Sequence, residues 1–504
     1  MHLPNLPRSG FAVLMLALLV CASGCPLVLG GPFRWARTDG GEGPDAITGV
    51  VTRFGGITYV CGTFTGRAVF GAGEANETTL IAAGGAFDRD LFIARYANTG
   101  ALDWAVSAGG PEDDAAAGIA ALSDGSIAVT GHFTGRAVFG AGEPNERRLV
   151  AAGDFDQDAF VARYTAGGAL IWARSEGGLG LNDAGTAISA FPDGSFVVAG
   201  TFEDRAVFET ANDGPVALNA GGPFDTNIFL ARYGRDGDLM WVSGAGGPAP
   251  DVAPGLTTVP GGGIVMTGTF EDFAFFGMPH RQTPIEIRAP LTLERDVFIA
   301  RYNNDGLVVW VRRATGIDLD DGLAAAAFLD GSAVVVGTFT DTIVFAPDMA
   351  NETTLVAQNK FDRDVFIAKY DRNGNLEWAR QGTGIDDDYA TTVSSTPGGR
   401  FFVAGTFTTA ITLGPGEANE TTLLTDREYD RNIFAAWYDA DGLLDRAMRI
   451  PAVSAAFGAG VLPSGNVMVG GWIAEPMSFL DSNGLTISIA PEGSKDAFLA
   501  RLAF

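Results

Sequence analysis

The chain has little cysteine, little histidine and little positive charge. Of its 504 residues, three are Cys, three are His, and 33 Lys and Arg stand against 60 Asp and Glu, which gives a formal net charge of −27. Two cysteines lie near the N-terminus, so Cys61 alone remains in the body of the chain and a disulfide framework there is excluded. We expect Cys61 to be a small buried strand residue. The acidic balance excludes nucleic acid as a partner, because binding its backbone requires Lys and Arg to replace counterions.

The N-terminal segment holds a short apolar run where a membrane span would need a long one. The run from Phe11 to Val20 is too short to cross a bilayer comfortably, and with Arg8 before it and small residues after it, residues 1–24 predict an export signal. The stretch Ala-Ser-Gly-Cys resembles a bacterial lipoprotein cleavage box, which implies that Cys25 becomes the lipidated first residue. Ala22 stands where such boxes usually carry Leu, so cleavage by ordinary signal peptidase is the alternative. Pro26 in place of Asp favours the outer membrane over the inner one.

Self-similarity dominates the remaining chain. Many Gly, Phe, Val, Ile and Thr predict short strands and tight turns, hence an all-β class. A Trp recurs at steps of about 69 residues, at Trp35, Trp104, Trp172, Trp241, Trp310 and Trp378. A Gly-Thr-Phe motif or close variant recurs seven times, at Gly62, Gly131, Gly200, Gly268, Gly337, Gly405 and Gly471. Seven units therefore fill the chain after the export signal and leave no room for a separate catalytic domain.

Each unit predicts four antiparallel strands, the content of one propeller blade. An insert of about 25 residues follows the fourth strand, and its Ala68–Phe70 and Thr79–Ile81 segments suit an additional hairpin. The strand near the C-terminus, 496–502, lacks a following partner, and the segment 33–37 lacks a preceding one, so the two should pair. We therefore predict a seven-bladed β-propeller over residues 32–504, closed by pairing of its terminal strands, with 25–31 as a short tether.

The unit resembles a known group. Its pattern of Asp-x-Phe-x-Ala-Arg-Tyr, a Gly turn, Trp-Ala, a Gly- and Asp-rich stretch and Asp-Gly-Ser-x-x-Val-x-Gly is similar to the bacterial β-propeller repeat (SBBP) family. The segment Tyr370–Trp378 is more loosely similar to blades of pyrroloquinoline-quinone dehydrogenases, whose adjacent-cysteine pair has no match here. The resemblance implies a propeller and says almost nothing of activity. It also implies that the Trp strand is outermost and that the Ala-Ile-Ser strand lines a central channel.

An acidic residue recurs ten or eleven residues after the Trp position. The series is Asp45, Asp114, Asp183, Asp251, Asp321 and Asp388, and the seventh unit lacks it. Under the strand order that the resemblance implies, these residues ring one face around the channel mouth. One interpretation is cation binding, since hard oxygen ligands suit Ca²⁺. The other is that each carboxylate accepts hydrogen bonds from backbone N–H groups in its turn.

A second series lies five residues before a cation in most units: Asp90, Asp158, Asn227, Asp296, Asp364, Asn432 and Asp496. The odd offset places the two residues on opposite faces of a strand, so we predict hydrogen bonds between blades rather than an ion pair within a strand. Nucleophilic catalysis finds little support, because neither His132 nor His280 has a partner motif and no catalytic residues are assigned.

Two hypotheses about function follow. The first is a non-enzymatic module of the periplasm or cell surface that presents inserts and acidic turns to a protein, a glycan or a cation, as a monomer that meets the membrane through its lipid anchor only. The second is an extracytoplasmic hydrolase or lyase that uses carboxylates at the channel mouth. An active site needs different residues from different blades, whereas these units are near-copies, so the first is favoured. A purely architectural role is a third possibility.

Overall fold

The computed structural model describes residues 32–503 except 154, 179–181, 212–213, 223–224, 279–281, 291–293, 452–453 and 482–483. The predicted export signal (1–24) and the predicted tether (25–31), which includes Cys25, therefore lie outside the described residues. The named secondary-structure elements of the described residues are all strands, which confirms the all-β class. Among these same residues no helix is long and apolar enough to cross a membrane.

Seven four-stranded antiparallel units make up the described part of the chain. Their inner strands are β2 (Ala46–Thr52), β8 (Ala115–Ala121), β14 (Ala184–Ala190), β20 (Val252–Thr258), β26 (Asp321–Ala327), β32 (Tyr389–Ser395) and β38 (Ser454–Val461). Their second strands are β3 (Thr58–Thr65), β9 (Ile127–Thr134), β15 (Phe196–Glu203), β21 (Ile264–Glu271), β27 (Ala333–Thr340), β33 (Phe401–Thr408) and β39 (Val467–Ile473).

The other two strands of each unit complete its sheet. The third strands are β6 (Arg89–Tyr96), β12 (Gln157–Tyr164), β18 (Thr226–Tyr233), β24 (Arg295–Tyr302), β30 (Arg363–Tyr370), β36 (Arg431–Tyr438) and β42 (Asp496–Leu502). The outer strands are β7 (Leu102–Ala108), β13 (Leu170–Gly178), β19 (Leu239–Gly246), β25 (Val308–Gly316), β31 (Leu376–Gly384), β37 (Leu444–Ile450) and β1 (Phe33–Gly41). Second and third strands are buried on both faces over most of their length. Apolar residues therefore occupy consecutive positions, as in 91–94, whereas a half-exposed strand would alternate apolar and polar residues.

The last unit joins the two ends of the described chain. It consists of β38, β39 and β42 from the C-terminal end and β1 from the N-terminal end. β1 pairs antiparallel with β42, with Ala36 opposite Ala500 and Thr38 opposite Phe498. The predicted pairing of the terminal strands is thereby confirmed. The pairing supplies hydrogen-bond partners to backbone groups that would otherwise be exposed along the edge of β42.

Each insert forms a hairpin, as predicted. The hairpins are β4 (Arg67–Phe70) with β5 (Thr78–Ile81), β10 (Arg136–Phe139) with β11 (Arg147–Val150), β16 (Arg205–Thr210) with β17 (Gly214–Asn219), β22 (Phe273–Met278) with β23 (Ile285–Arg288), β28 (Thr342–Phe345) with β29 (Thr353–Val356), β34 (Ala410–Leu413) with β35 (Thr421–Leu424), and β40 (Met477–Leu480) with β41 (Thr486–Ile489). Five of them pair with the outer strand of the preceding unit within the described residues. A hairpin thus extends its neighbour's sheet and links successive units.

The inner strands of all seven units line one cavity of about 200 Å³. Threonine hydroxyls connect neighbouring inner strands: Thr48 Oγ1 donates to the carbonyl of Ala116 at 2.6 Å, and Thr52 Oγ1 donates to that of Val461 at 3.1 Å. The second bond joins the first unit to the last. The inner position of the Ala-Ile-Ser strand and the outer position of the Trp strand, expected from the resemblance, are confirmed.

The repeated Trp binds the next unit. Trp35 Nε1 donates to the carbonyl of Asn98 at 3.1 Å, and Trp104 Nε1 donates to that of Ala166 at 3.2 Å. The accepting carbonyl belongs to the turn between the third and outer strands of the next unit, and a glycine of that turn lies against the indole. A Cβ on Gly168, for example, would lie 2.9 Å from the ring of Trp104. The Trp and the Gly turn of the sequence motif therefore form a single contact between adjacent units.

Candidate functional site

The first acidic series lies where the outer strand of one unit crosses to the inner strand of the next. Asp45 shows the arrangement: its Oδ2 accepts the N–H of Gly41 at 2.8 Å and its Oδ1 accepts that of Thr65 at 2.9 Å. Three segments are thereby joined, namely the end of β1, the start of β2 and the end of β3. The corresponding bond to the end of the second strand recurs from Thr134 to Asp114, from Glu203 to Asp183 and from Thr408 to Asp388. Asp251 accepts the N–H of Gly247 at 2.7 Å.

In the fifth unit the structure assigns this position to Asp320 rather than Asp321. Asp320 Oδ1 accepts the N–H of Thr340 at 3.1 Å, whereas Asp321 accepts the hydroxyl of Thr269 at 3.1 Å and lies 2.9 Å from Arg295 Nη2. The inclusion of Asp321 in the series was therefore wrong by one residue. The reason is that several acids follow Trp310. The usual spacing of ten residues after the Trp gives Asp320, whereas the spacing of eleven seen between Trp172 and Asp183 gives Asp321.

These carboxylates are withdrawn from solvent. Asp114, Asp183, Asp251, Asp320 and Asp388 are 0% exposed and Asp45 is 1% exposed. Among the described residues, no group of three or more His, Cys, Asp or Glu is placed to hold a metal ion. What the structure provides for each carboxylate is at least one backbone N–H donor.

The two acidic series meet at the junctions between units, which the sequence did not reveal. At the second junction, a Cβ on Gly177 would lie 2.7 Å from both Asp158 Oδ1 and Asp183 Oδ2. At the junction of the last and first units, a Cβ on Gly40 would lie 2.5 Å from Asp45 Oδ2 and 2.9 Å from the carboxyl carbon of Asp496. A glycine is required at both positions, because any side chain would lie between two carboxyl groups.

Five junctions in the described structure carry such a pair of Asp residues. The pairs are Asp45 with Asp496, Asp90 with Asp114, Asp158 with Asp183, Asp296 with Asp320, and Asp364 with Asp388. Burial, with a smaller contribution from the paired carboxylate, raises the pKa of Asp45 and Asp183 to about 7 and that of Asp114 to about 8, and burial raises the pKa of Asp158 to about 7. Two like charges in one buried space disfavour double ionisation, so each pair retains a proton near neutral pH.

The remaining two junctions carry a neutral Asn at the second-series position. Asn227 lies beside the crossing that holds Asp251, since a Cβ on Gly246 would lie 2.5 Å from the Asn227 side-chain carbon and the N–H of Gly247 donates to Asp251, and Asn432 holds the same strand position in β36. Ser454, fully buried, takes the place of the first-series Asp in the last unit. An Asn has the shape of a protonated Asp, so these positions accept a neutral side chain.

The cations of the second series bind the next unit. Arg232 Nη1 donates to the carbonyl of Asn304 at 2.8 Å, Lys369 Nζ donates to that of Ala440 at 3.3 Å, and Arg501 Nη1 donates to that of Asn98 at 2.9 Å. Arg163 makes the equivalent bond to the carbonyl of Arg235. The prediction of hydrogen bonds between units is confirmed for these cations.

The other residues considered for chemistry show no reactive arrangement. Burial raises the pKa of the Cys61 thiol to about 12, and Cys61 is 0% exposed, as predicted. Burial and the charge of Arg89 lower the pKa of His132 to about 4, so its imidazole is neutral under ordinary conditions. His280 and Cys25 lie outside the described residues.

One position of the repeat, which the sequence analysis did not single out, carries exposed aromatic side chains in four units. Phe87, Phe155, Phe361 and Tyr429 are 96%, 82%, 84% and 72% exposed, and each lies three residues before a member of the second acidic series. They lie in the loops between the inserted hairpin and the third strand, at the same end of the units as the crossings. The available signal was an aromatic residue that recurs at one repeat position outside any predicted strand.

Comparison with protein-family models gives no match. The chain is similar to an uncharacterized WD repeat-containing protein, L264, of Acanthamoeba polyphaga mimivirus, with 22% identity over 57% of this chain and 24% of the relative. It is also similar to the regulatory protein FlaEY of Caulobacter vibrioides, with 28% identity over 23% of this chain and 12% of the relative. The chain thus spans about a quarter or less of each curated relative. The first similarity, together with the all-β repeat structure, indicates a β-propeller-type repeat protein.

Proposed function

We propose that this chain is an exported seven-bladed β-propeller that acts as a non-enzymatic binding or scaffold module. The observation that carries the proposal is the use of the same polar side chains at junction after junction. The paired Asp residues, the Trp Nε1 groups and the Arg or Lys residues that bind the next unit all serve contacts between units. The surface left for function is therefore the loops at the ends of the strands.

The blade count and the ring rest on three further supports. Seven four-stranded units, the pairing of β1 with β42 and the common cavity of the inner strands all suit a closed propeller. The repeat pattern suits the SBBP family, and the similarity to a WD repeat-containing protein supports the same architecture. We propose that the ring is monomeric, since β1 covers the edge of β42 within one chain and no second copy is needed there.

The proposed location is the outer membrane or the cell surface, through a lipid on Cys25. β1 begins at the end of the units opposite the crossings, because Phe33 pairs with Leu502 and Asp39 with Ala497. A chain tethered just before Phe33 would therefore direct the face with the exposed aromatic residues away from the membrane.

Membrane fractionation tests the anchor. When the full chain is expressed in a bacterium, it should partition with membranes and incorporate labelled fatty acid, and the Cys25→Ala variant should do neither. A Cys25→Ala variant that remains with the membranes would contradict lipidation and favour ordinary signal cleavage.

A binding survey tests the function. The exported full chain should bind at least one of a cationic peptide, a neutral oligosaccharide or Ca²⁺ saturably and release it unchanged. Release of cleaved product from an oligosaccharide, at a rate that falls on replacing exposed carboxylates of the crossings, would contradict the proposal in favour of a hydrolase or lyase. Binding of none of these probes would favour a purely architectural role.

A further inference from the structure

Two exposed aromatic residues and one aliphatic residue adjoin at a single junction. Phe361 lies in the loop between β29 and β30, Ile385 lies in the crossing from β31 to β32, and Tyr429 lies between β35 and β36. They are 84%, 48% and 72% exposed. We call these three side chains the aromatic patch.

Hydrogen bonds hold the loops of the aromatic patch together. Asn359 Nδ2 donates to the carbonyl of Ile385 at 2.8 Å, and the N–H of Arg363 donates to Asp387 Oδ1 at 3.2 Å. On the other side, Glu428 and then Asp386 raise the pKa of the Tyr429 phenol, so both carboxylates lie near its ring. The loops that carry Phe361 and Ile385 are therefore hydrogen-bonded to each other, and the loop of Tyr429 lies within electrostatic range of the second.

Strained backbone presents Tyr429 to solvent. Tyr429 has φ of +67°, and Thr409, whose Oγ1 accepts the N–H of Tyr429 at 3.0 Å, has φ of +58°. Bulky and β-branched residues rarely adopt this conformation, and such strain persists at functional sites. A positive φ after the second strand recurs in five other units, at Gly66, Gly135, Asp204, Asp272 and Asp341, and Gly and Asp adopt it at less cost than the β-branched Thr409.

The charges around the aromatic patch favour a basic partner. The neighbouring cations form salt bridges with acids outside the patch. Lys360 pairs with Asp341 at 3.5 Å, Arg363 with Asp321 at 3.5 Å, and Arg427 with Glu475 at 3.6 Å. Among the described residues, no salt bridge joins a Lys or Arg to Asp386 or Glu428. These carboxylates repel an anionic membrane or a nucleic acid, and a neutral glycan would leave their charge unbalanced.

We propose that the aromatic patch binds a polypeptide segment that carries Lys or Arg beside apolar side chains. The apolar side chains cover Phe361 and Ile385, and the cations meet Asp386, Glu428 and the face of Tyr429. This inference rests on the proposed function, since it names the partner of a binding module.

Fluorescence anisotropy with a labelled ten-residue peptide of alternating Lys and Leu tests the inference on the full chain. A patch variant, Phe361→Ser with Tyr429→Ser, should weaken binding by about tenfold or more, the loss expected of central interface residues. A charge variant, Asp386→Asn with Glu428→Gln, should weaken binding and reduce its dependence on salt. The matched control is Phe87→Ser, which removes an exposed ring beside a crossing, 109–114, without Ile or Leu, and it should change binding by less than about twofold.

Other outcomes contradict the inference. Equal loss in the patch and control variants, or no loss in either, would place the binding elsewhere and leave the binding function standing. Patch-dependent binding of a neutral oligosaccharide, or of a matched Glu and Leu peptide, with none of the Lys and Leu peptide would overturn the proposed partner. Failure to bind any probe would overturn the inference and the binding function together.

Discussion

Two buried carboxyl groups occupy one small space at five junctions, and this makes the protein's stability depend on pH. An acid whose folded pKa lies above its unfolded value stabilises the fold while it is protonated. Its contribution is complete below the unfolded value of 3.8 and is lost as the pH rises through about 7. The junction pairs therefore predict greater stability at pH 5 than at pH 8.

Replacing one member of a pair by its neutral isostere should remove part of this dependence. Asp158→Asn reproduces the residue that stands at Asn227 and Asn432, and its amide can donate to Asp183 Oδ2, which lacks a hydrogen-bond partner in the structure. The free energy of unfolding at pH 8 should rise by roughly 1 kcal/mol or more and change little at pH 4. Chemical denaturation at both values measures it.

The matched control is Asp236→Asn, which removes the same charge from a side chain that is 81% exposed. It should leave the difference between the two pH values unchanged. If Asp158→Asn lowered stability at pH 8, the pair would be holding a cation rather than a proton.

Strain at Thr409 gives a second prediction for a single residue. Thr409→Gly adopts the conformation of Gly66 and Gly135 without strain, and the exposed N–H of Tyr429 that its hydroxyl accepts can bond to water, so the free energy of unfolding should rise by roughly 1 kcal/mol or less. Thr408→Gly, one residue earlier in β33 and without a positive φ, should lower it. Thermal or chemical denaturation distinguishes the two. A loss of stability in both variants would contradict strain at Thr409.

At the scale of elements, the contact between an outer-strand Trp and the turn of the next unit explains why one copy of the motif is degenerate. Each Trp lies against the turn between the third and outer strands of the following unit. In the last unit those strands are β42 and β1, which no turn connects within the described chain. The residue that would contact that turn is Arg446, at the seventh Trp position. The loss of the Trp follows from the loss of its partner.

The same contact predicts unequal effects of two glycine substitutions. Gly168 has φ of +88° and faces Trp104, whereas Gly142 has φ of +78° and nothing within 4 Å of an added Cβ. Gly142→Ala should cost about 1 kcal/mol for its backbone alone. Gly168→Ala adds a clash with a hydrogen-bonded indole and should cost roughly 2 kcal/mol or more. Equal losses in denaturation experiments would show that the Trp does not pack on the turn.

Elements were predicted well from the sequence because their signals are local and repeated seven times. The Trp strand, the Asp-Gly turns, the inserted hairpins and the unpaired terminal strands were each visible in the pattern. Contacts between units were not, because Asp90 and Asp114 belong to different units and Asp45 and Asp496 to opposite ends of the chain. The choice of Asp321 over Asp320 failed because spacing alone cannot resolve a run of acids. Exposure of Phe361 and Tyr429 depends on how three separate loops adjoin, which no single segment encodes.

At the scale of the whole molecule, the last unit is completed by the pairing of β1 with β42. The pairing joins residues about 460 positions apart, and the bond from Thr52 to Val461 links the last unit to the first at their inner strands. Without closure, the last unit would lack its outer strand and the first hairpin would lack the strand on which it packs. The proposed binding surface at the junctions depends on this arrangement.

An engineered disulfide between the terminal strands tests closure most directly. Ala36 and Ala500 are opposite in the register, and directly opposed residues of antiparallel strands lie at about the separation that a disulfide spans. The Ala36→Cys, Ala500→Cys variant should form a disulfide within one chain, detected by mass spectrometry of linked peptides and by faster migration on a non-reducing gel. The control, Ala36→Cys with Ala105→Cys in β7, should not form one. Free thiols, or disulfides only between chains, in the first variant would contradict a ring closed by its own ends.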